Sequence, residues 1–181
     1  MFQRIKSLVS GFCVSVFLVS SVGTAAAWDA SRIQPHVTFT LGSNHLGADE
    51  EFNEFNPGIA LGFTLPARDS DWIYGLEVGQ YRNSHSQNSQ YVLGSIERPV
   101  AQLGDETTLK LGLMAGLARY NEVAQELGRK GVPTIGDWVL AGGATAAINH
   151  RDRLELRVGV VPAPGVADAI FTFQVRMPLN W

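Results

Sequence analysis

The final eleven residues, Phe171 to Trp181, alternate without a break. Phe171, Phe173, Val175, Met177, Leu179 and Trp181 are apolar, and Thr172, Gln174, Arg176, Pro178 and Asn180 fall between them. An extended strand sends successive side chains to opposite faces, so this segment has one oily flank and one hydrophilic flank. Such a strand suits the wall of a transmembrane barrel, whose outside is solvated by lipid and whose inside is polar. It also suits a soluble carrier barrel of the lipocalin type, with the oily flank turned inward around a ligand. Periodicity alone leaves that choice open.

The other end of the chain favours the membrane. Arg4 and Lys6 precede an apolar run from Leu8 to Val22, and Ala25-Ala26-Ala27 offers a small-residue cleavage site. This is the layout of a cleavable signal peptide over residues 1–27, with Trp28 as the first mature residue. The run is short for a spanning helix, which needs about 20 apolar residues. The one cysteine, Cys13, lies inside the run, so the mature chain has no thiol and no disulfide. Residues 28–181 then form one outer-membrane barrel domain of 154 residues with twelve basic and seventeen acidic side chains, a net charge of −5. Nothing in that balance points to nucleic acid.

Eight segments read as strands: about 35–41, 58–65, 71–83, 90–100, 107–120, 137–148, 153–161 and the terminal one. In the fifth, Leu109, Leu111, Leu113, Ala115 and Leu117 alternate with Thr108, Lys110, Gly112, Met114, Gly116 and Ala118. In the third, Trp72, Tyr74, Leu76 and Val78 oppose Gly75, Glu77, Gly79 and Tyr81. With the oily flanks outward, Glu77, Lys110, Glu155, Arg157 and Arg176 point into a narrow lumen, where they have to pair. Glycines 62, 75, 79, 112, 116 and 159 share that face, as an eight-stranded interior only just wide enough for side chains requires. The expectation is an all-β, eight-stranded antiparallel up-and-down transmembrane β-barrel.

Link lengths sort by parity. Links 66–70, 101–106 and 149–152 are short, whereas 42–57, 84–89, 121–136 and 162–168 are mostly longer. Outer-membrane barrels have short periplasmic turns and longer outer loops, so the longer links lie outside the cell and the N-terminus lies in the periplasm. Residues Glu122 to Lys130 contain good helix formers and read as a turn or two of helix within the longest loop. Pro178 is expected where strand pairing has stopped.

On this topology His45, Asn53, Glu54, Asn83, Ser84 and His85 gather at the outer rim, and His36 and His150 lie at the opposite end. A histidine, a hydroxyl and an amide or carboxylate at one mouth suit acyl transfer: the imidazole takes a proton and the donors steady the oxyanion. Asn56-Pro57-Gly58 and Pro162-Ala163-Pro164-Gly165 put prolines near the same rim, where a missing ladder bond can separate neighbouring strands and admit a lipid chain. Equally, they mark loop ends.

From Phe52 to Trp181 the chain resembles the lipid A palmitoyltransferase (PagP) family of eight-stranded outer-membrane barrels. The resemblance is carried by Phe52-Asn53-Glu54 before a proline and a glycine-bearing strand, by the strand from Trp72 ending in Tyr81-Arg82-Asn83-Ser84, and by Arg98-Pro99. It continues through Leu109 to Arg119 and through Val161-Pro162 with Gly165. It implies a histidine in the first outer loop and an Asp-Ser pair after the third strand. Ser84 matches the serine, and Asn83 stands where the aspartate belongs. His45 is the candidate histidine, at a spacing several residues off. Too little chain separates Trp28 from Gln34 for the family's N-terminal amphipathic helix. The implied activity is transfer or hydrolysis of an acyl chain of lipid A or phospholipid, with His45 as general base, Ser84 and Asn83 as polarising and orienting partners, and Glu54 as a substitute carboxylate.

The alternative is a non-catalytic small outer-membrane barrel with a structural, adhesin or resistance role. Either version resides in the outer membrane of a Gram-negative bacterium. Its partners are outer-membrane lipids and, through the C-terminal strand, the barrel-assembly machinery. It acts as a monomer with no cofactor and no metal, since four scattered histidines give no ligand spacing.

Overall fold

The computed structural model describes residues 30–179. The expected signal peptide, its expected cleavage point and the terminal Trp181 lie outside the described residues. A 3-10 turn at Ala30–Arg32 leads into strands β1 (Gln34–Leu46), β2 (Gly58–Pro66), β3 (Ile73–Arg82), β4 (Asn88–Gln102) and β5 (Thr107–Arg119). Helix α1 (Glu122–Arg129) and a two-residue strand β6 (Thr134–Ile135) follow. Strands β7 (Trp138–His150), β8 (Leu154–Ala163) and β9 (Ala167–Pro178) complete the chain.

Every neighbouring pair is antiparallel. The order runs β5-β4-β3-β2-β1-β9-β8-β7, and β5 pairs β7 from Thr107↔His150 to Arg119↔Trp138. That last pairing closes the ring, so eight strands leave no free edge, while β6 adds two residues beside the start of β7. The connections at one end are short, 67–72, 103–106 and 151–153, and the other end carries 47–57, 83–87 and 120–137. The β8–β9 link at that same end shrinks to residues 164–166, because both strands run further than their alternation suggests. Pairing also continues past the proline expected to end it: Pro178 sits opposite His36, and the Leu179 N–H donates to Pro35 O at 2.8 Å.

The distribution of polarity is inverted relative to a soluble protein. Leu61 and Leu113 are 64% and 62% exposed, and Val78, Leu111, Leu156 and Phe173 also face outward. The buried side chains include Glu77, Glu97, Thr145, Glu155, Arg157 and Arg176. The reversed, carrier-type register is thereby ruled out: the oily flanks face out. Sharing the lumen, Lys110 Nζ lies 3.0 Å from Glu155 Oε2, Arg176 Nη1 lies 2.9 Å from Glu155 Oε1 and 3.3 Å from Glu97 Oε2, and Arg157 donates to Glu97. A second cluster centres on Glu77, which accepts from Thr38 Oγ1 at 2.6 Å and Tyr91 OH at 2.7 Å and pairs with His36. Gly112 makes room for the first cluster, since a Cβ there would lie 2.8 Å from Glu97 Cγ.

Each charge of the first cluster thus has an opposite charge beside it, and Glu77 has two hydroxyl donors and His36, the condition for tolerating ions in a closed lumen. The exterior has the opposite requirement. Leu113→Arg, at the middle outward position of β5, should destabilise the barrel in phospholipid vesicles by about 2–4 kcal/mol, read from denaturant unfolding. An unchanged midpoint would show that the band does not face lipid.

Candidate functional site

The site depends on one extra residue in β1. Thr40 pairs with Gln174 and Gly42 with Phe173, so Leu41 is left over as a bulge. A bulge shifts the alternation by one position. Before it the even-numbered His36 and Thr38 are buried in the lumen; after it Ser43 and His45 face inward, opposite Thr172 and Ile170. Without the bulge His45 would point at lipid. The following loop folds back over this point, with the Ser43 N–H donating to Glu54 O at 2.9 Å. Gly42 permits the approach: a Cβ there would sit 2.5 Å from that carbonyl oxygen. The strand therefore reaches Leu46, five residues beyond its expected end, and His45 stands on a strand rather than in a loop.

Ser84 is placed by the turn after β3. Asn83 is fully buried. Its Oδ1 accepts the N–H groups of His85 and Gln87 at 3.0 and 2.9 Å, and its Nδ2 donates to Ser89 Oγ at 2.9 Å. This is an Asx-type staple, the local bonding for which asparagine is favoured in turns. The Asn53 N–H donates to Ser84 O at 3.0 Å and ties the first outer loop to this turn.

The two segments bring His45 Nε2 to 3.0 Å from Ser84 Oγ. Phe52 stacks on the imidazole at 4.4 Å between centroids, and His85 meets the other side of Phe52 edge-on at 5.5 Å. His45 Nδ1 is buried without a hydrogen-bond partner. Glu54 does not fill that place, because its carboxylate accepts from Asn44 Nδ2 at 2.8 Å. Two of the four sequence candidates, His45 and Ser84, are therefore in contact. Asn83 holds the serine's turn instead of orienting the imidazole, and Glu54 holds β1. Phe52, missed by sequence reasoning as a site residue, is the group that packs the imidazole ring, and its place in the Phe-Asn-Glu motif was the available signal.

Below the pair lies a mainly apolar cavity of about 140 Å³, bounded by Leu93, Met114, Ala118 and Val161 on one side and Thr40, Thr172 and Gln174 on the other. A second cavity, of about 130 Å³, lies above it between His45, Phe52 and His85 and the residues Leu127, Val132 and Val166. Helix α1 covers this upper space, burying Val123, Ala124 and Leu127 against Val139. Lys130, just past the helix, bridges to Glu50 of the first outer loop at 2.9 Å. That hydrogen bond holds the Glu50 carboxyl below its ordinary range and the Lys130 ammonium above its own.

The wall is incomplete on one side. The β7–β8 ladder runs from His150↔Leu154 to Ala144↔Val160 and goes no further, and the β8 register shifts between Pro162 and Ala163. A larger recess of about 1000 Å³ lies there, against Leu140, Gly142, Pro162 and Pro164. Among the described residues no group of three or more His, Cys, Asp or Glu side chains is placed to hold a metal ion.

A closed eight-stranded antiparallel barrel with an apolar outside and a charged, paired inside is an outer-membrane β-barrel protein, solvated by lipid around its waist. Among solved structures the chain is similar to Neisserial surface protein A, at 13% identity over 80% of this chain and 94% of that one, with a TM-score of 0.41. It is also similar to the outer membrane protein Ail of Yersinia pestis, at 11% identity over 81% of this chain and 99% of that one, with a TM-score of 0.42. No protein-family model matches the chain, and no curated protein sequence does.

Proposed function

We propose that this barrel transfers or hydrolyses an acyl chain of lipid A or phospholipid at its outer mouth, in the manner of the lipid A palmitoyltransferases its sequence resembles. The observation that carries the reading is the His45–Ser84 contact, 3.0 Å long, at the top of an apolar chamber. The chamber takes the hydrocarbon, the pair meets the ester, and the gap between β7 and β8 gives a path from the bilayer.

His45 acts as general base. Its Nε2 takes the proton of the Ser84 hydroxyl as Oγ attacks the ester carbonyl. The leaving alcohol receives that proton as its bond to the acyl carbon breaks. A second hydroxyl, from water or from an acceptor lipid, then gives its proton to His45 as its oxygen takes the acyl group, and His45 returns that proton to Ser84 Oγ as the acyl–Oγ bond breaks. The family resemblance assigns Ser84 only a polarising role; the contact distance favours it as the hydroxyl that is deprotonated. No carboxylate hydrogen-bonds the imidazole: Glu54 acts on it only through space, and stacking on Phe52 holds the ring. In a serine protease the Asp-to-Asn change costs about 10⁴ in turnover, so a slow enzyme is expected.

Maturation in this reading removes residues 1–27, and the barrel-assembly machinery receives the C-terminal strand. The test uses the mature protein folded into phospholipid vesicles that carry an acyl-labelled phospholipid, with and without lipid A. Label should pass to free fatty acid or to lipid A faster than in protein-free vesicles. A second reading, a non-catalytic barrel, is favoured by the partnerless His45 Nδ1. It requires the label to stay where it is.

A further inference from the structure

Resting on the acyl-site reading, we infer that Tyr120 is the oxyanion donor of this mouth: its phenol hydrogen-bonds the carbonyl oxygen of the ester as Ser84 attacks. The reaction needs such a group. When Ser84 Oγ bonds to the acyl carbon, an electron pair moves onto the carbonyl oxygen, and a fixed donor aimed there is usually the largest single contribution to acyl transfer. Asn83 cannot serve, because it is fully buried with its Nδ2 turned to Ser89 Oγ.

Among the described residues three polar side chains border both the lower and the upper cavity: His45, Ser84 and Tyr120. An ester with its acyl chain in the lower space and its alcohol in the upper one has its carbonyl at that junction. Two of the three side chains are the reacting pair. The third has a proton to give, since Tyr81 OH donates to Tyr120 OH at 2.8 Å and leaves the Tyr120 hydrogen for another acceptor. Nearby donors of the lower cavity are committed: Tyr91 OH to Glu77 at 2.7 Å, Ser43 Oγ to Asn56, and Asn56 Nδ2 to Asn53 O at 2.9 Å. Thr40, Thr172 and Gln174 border the lower cavity alone.

The ring is fixed in place. It packs against two apolar clusters, one built on helix α1 and Val139, the other on Ala60, Tyr91 and Ala118. Behind the hydroxyl, Asn83 Nδ2 donates to Ser89 Oγ, Ser89 hydrogen-bonds Tyr81, and Tyr81 donates to Tyr120. Each bond polarises the next. The phenol keeps its proton throughout, and the carbonyl re-forms as the alcohol leaves with the proton from His45.

Tyr120→Phe and Tyr81→Phe delete the same hydrogen bond, and each keeps its ring, so a merely structural tyrosine pair requires equal effects. Both variants and the unsubstituted mature protein are folded into phospholipid vesicles, and initial rates are followed as the fraction of acyl-labelled phospholipid rises. Tyr120→Phe should lower kcat by about 10²-fold with KM unchanged, the loss typical of one oxyanion donor. Tyr81→Phe should lower kcat by less than about tenfold, since only the polarisation behind the donor is lost, while the two variants unfold at similar urea concentrations. Equal losses of kcat in the two variants, or a kcat for Tyr120→Phe within about threefold of the unsubstituted protein, overturn the oxyanion role and leave the acyl site standing. Absence of turnover in the unsubstituted protein removes the acyl reading and the oxyanion role with it.

Discussion

His45→Ala should lower acyl release or transfer in vesicles by about 10³-fold, within the range of general acid–base contributions. The side chain is half-buried at the rim and contributes one stacking contact and one hydrogen bond, so the barrel should still fold and migrate as a compact species in cold detergent. Ser84→Ala should lose about as much, and the double variant little more, because a base and the hydroxyl it deprotonates act as one unit. Glu54→Gln should be near silent, since an amide oxygen can still accept from Asn44. Asn83→Ala should also be slow, for a different reason: it releases the turn that positions Ser84, and its loss should accompany a lower unfolding midpoint. Full activity in His45→Ala would remove the imidazole from any chemistry this mouth performs.

The second large effect is on stability. Arg157→Met removes a buried guanidinium that donates to Glu97 and lies 3.5 Å from Glu155. Breaking a buried ion pair from one side typically costs about 3–5 kcal/mol, because the remaining charge has neither water nor a full set of partners. Urea unfolding in phospholipid vesicles should show a loss of that size. The double variant Glu97→Gln, Arg157→Met should recover most of it, since Glu97 no longer carries a buried charge that Arg176 alone meets, and Glu155 keeps Lys110 and Arg176. No recovery in the double variant would mean that the loss comes from repacking and not from the under-paired carboxylate.

The legible and illegible regions of this protein divide by how far an alternation runs undisturbed. In β5 the residues from Thr108 to Ala118 keep a single alternation, and the strand pairs on both sides without a slip against β7. The inward set Glu77, Lys110, Glu155, Arg157 and Arg176 was readable on the same ground. Glu97 was not: outward Arg98 and inward Ser95 and Leu93 blur the pattern of β4, and Pro99 with the register shift after it hides the end of the strand. Helix α1 was readable because its residues are good helix formers within the long link between two strands that pair with each other.

The candidate site was legible as a gathering of polar residues at one mouth and illegible in its contacts. Parity counted from His36 sends His45 to the lipid. The bulge at Leu41 that turns it inward carries no local signal beyond Gly42, and that glycine is required by the carbonyl of Glu54 in the loop that follows. Asn83 matched a family position, yet its bonds go to its own turn.

From the amino-acid order alone come the strand count, the antiparallel up-and-down order and the two-faced character of each strand, because period-two patterning and link length are local properties that every strand repeats. Tertiary structure decided which way the oily flanks face and which polar groups meet: the first needs the ring to close, and the second needs a one-residue slip in β1 to be matched against a loop and a neighbouring turn.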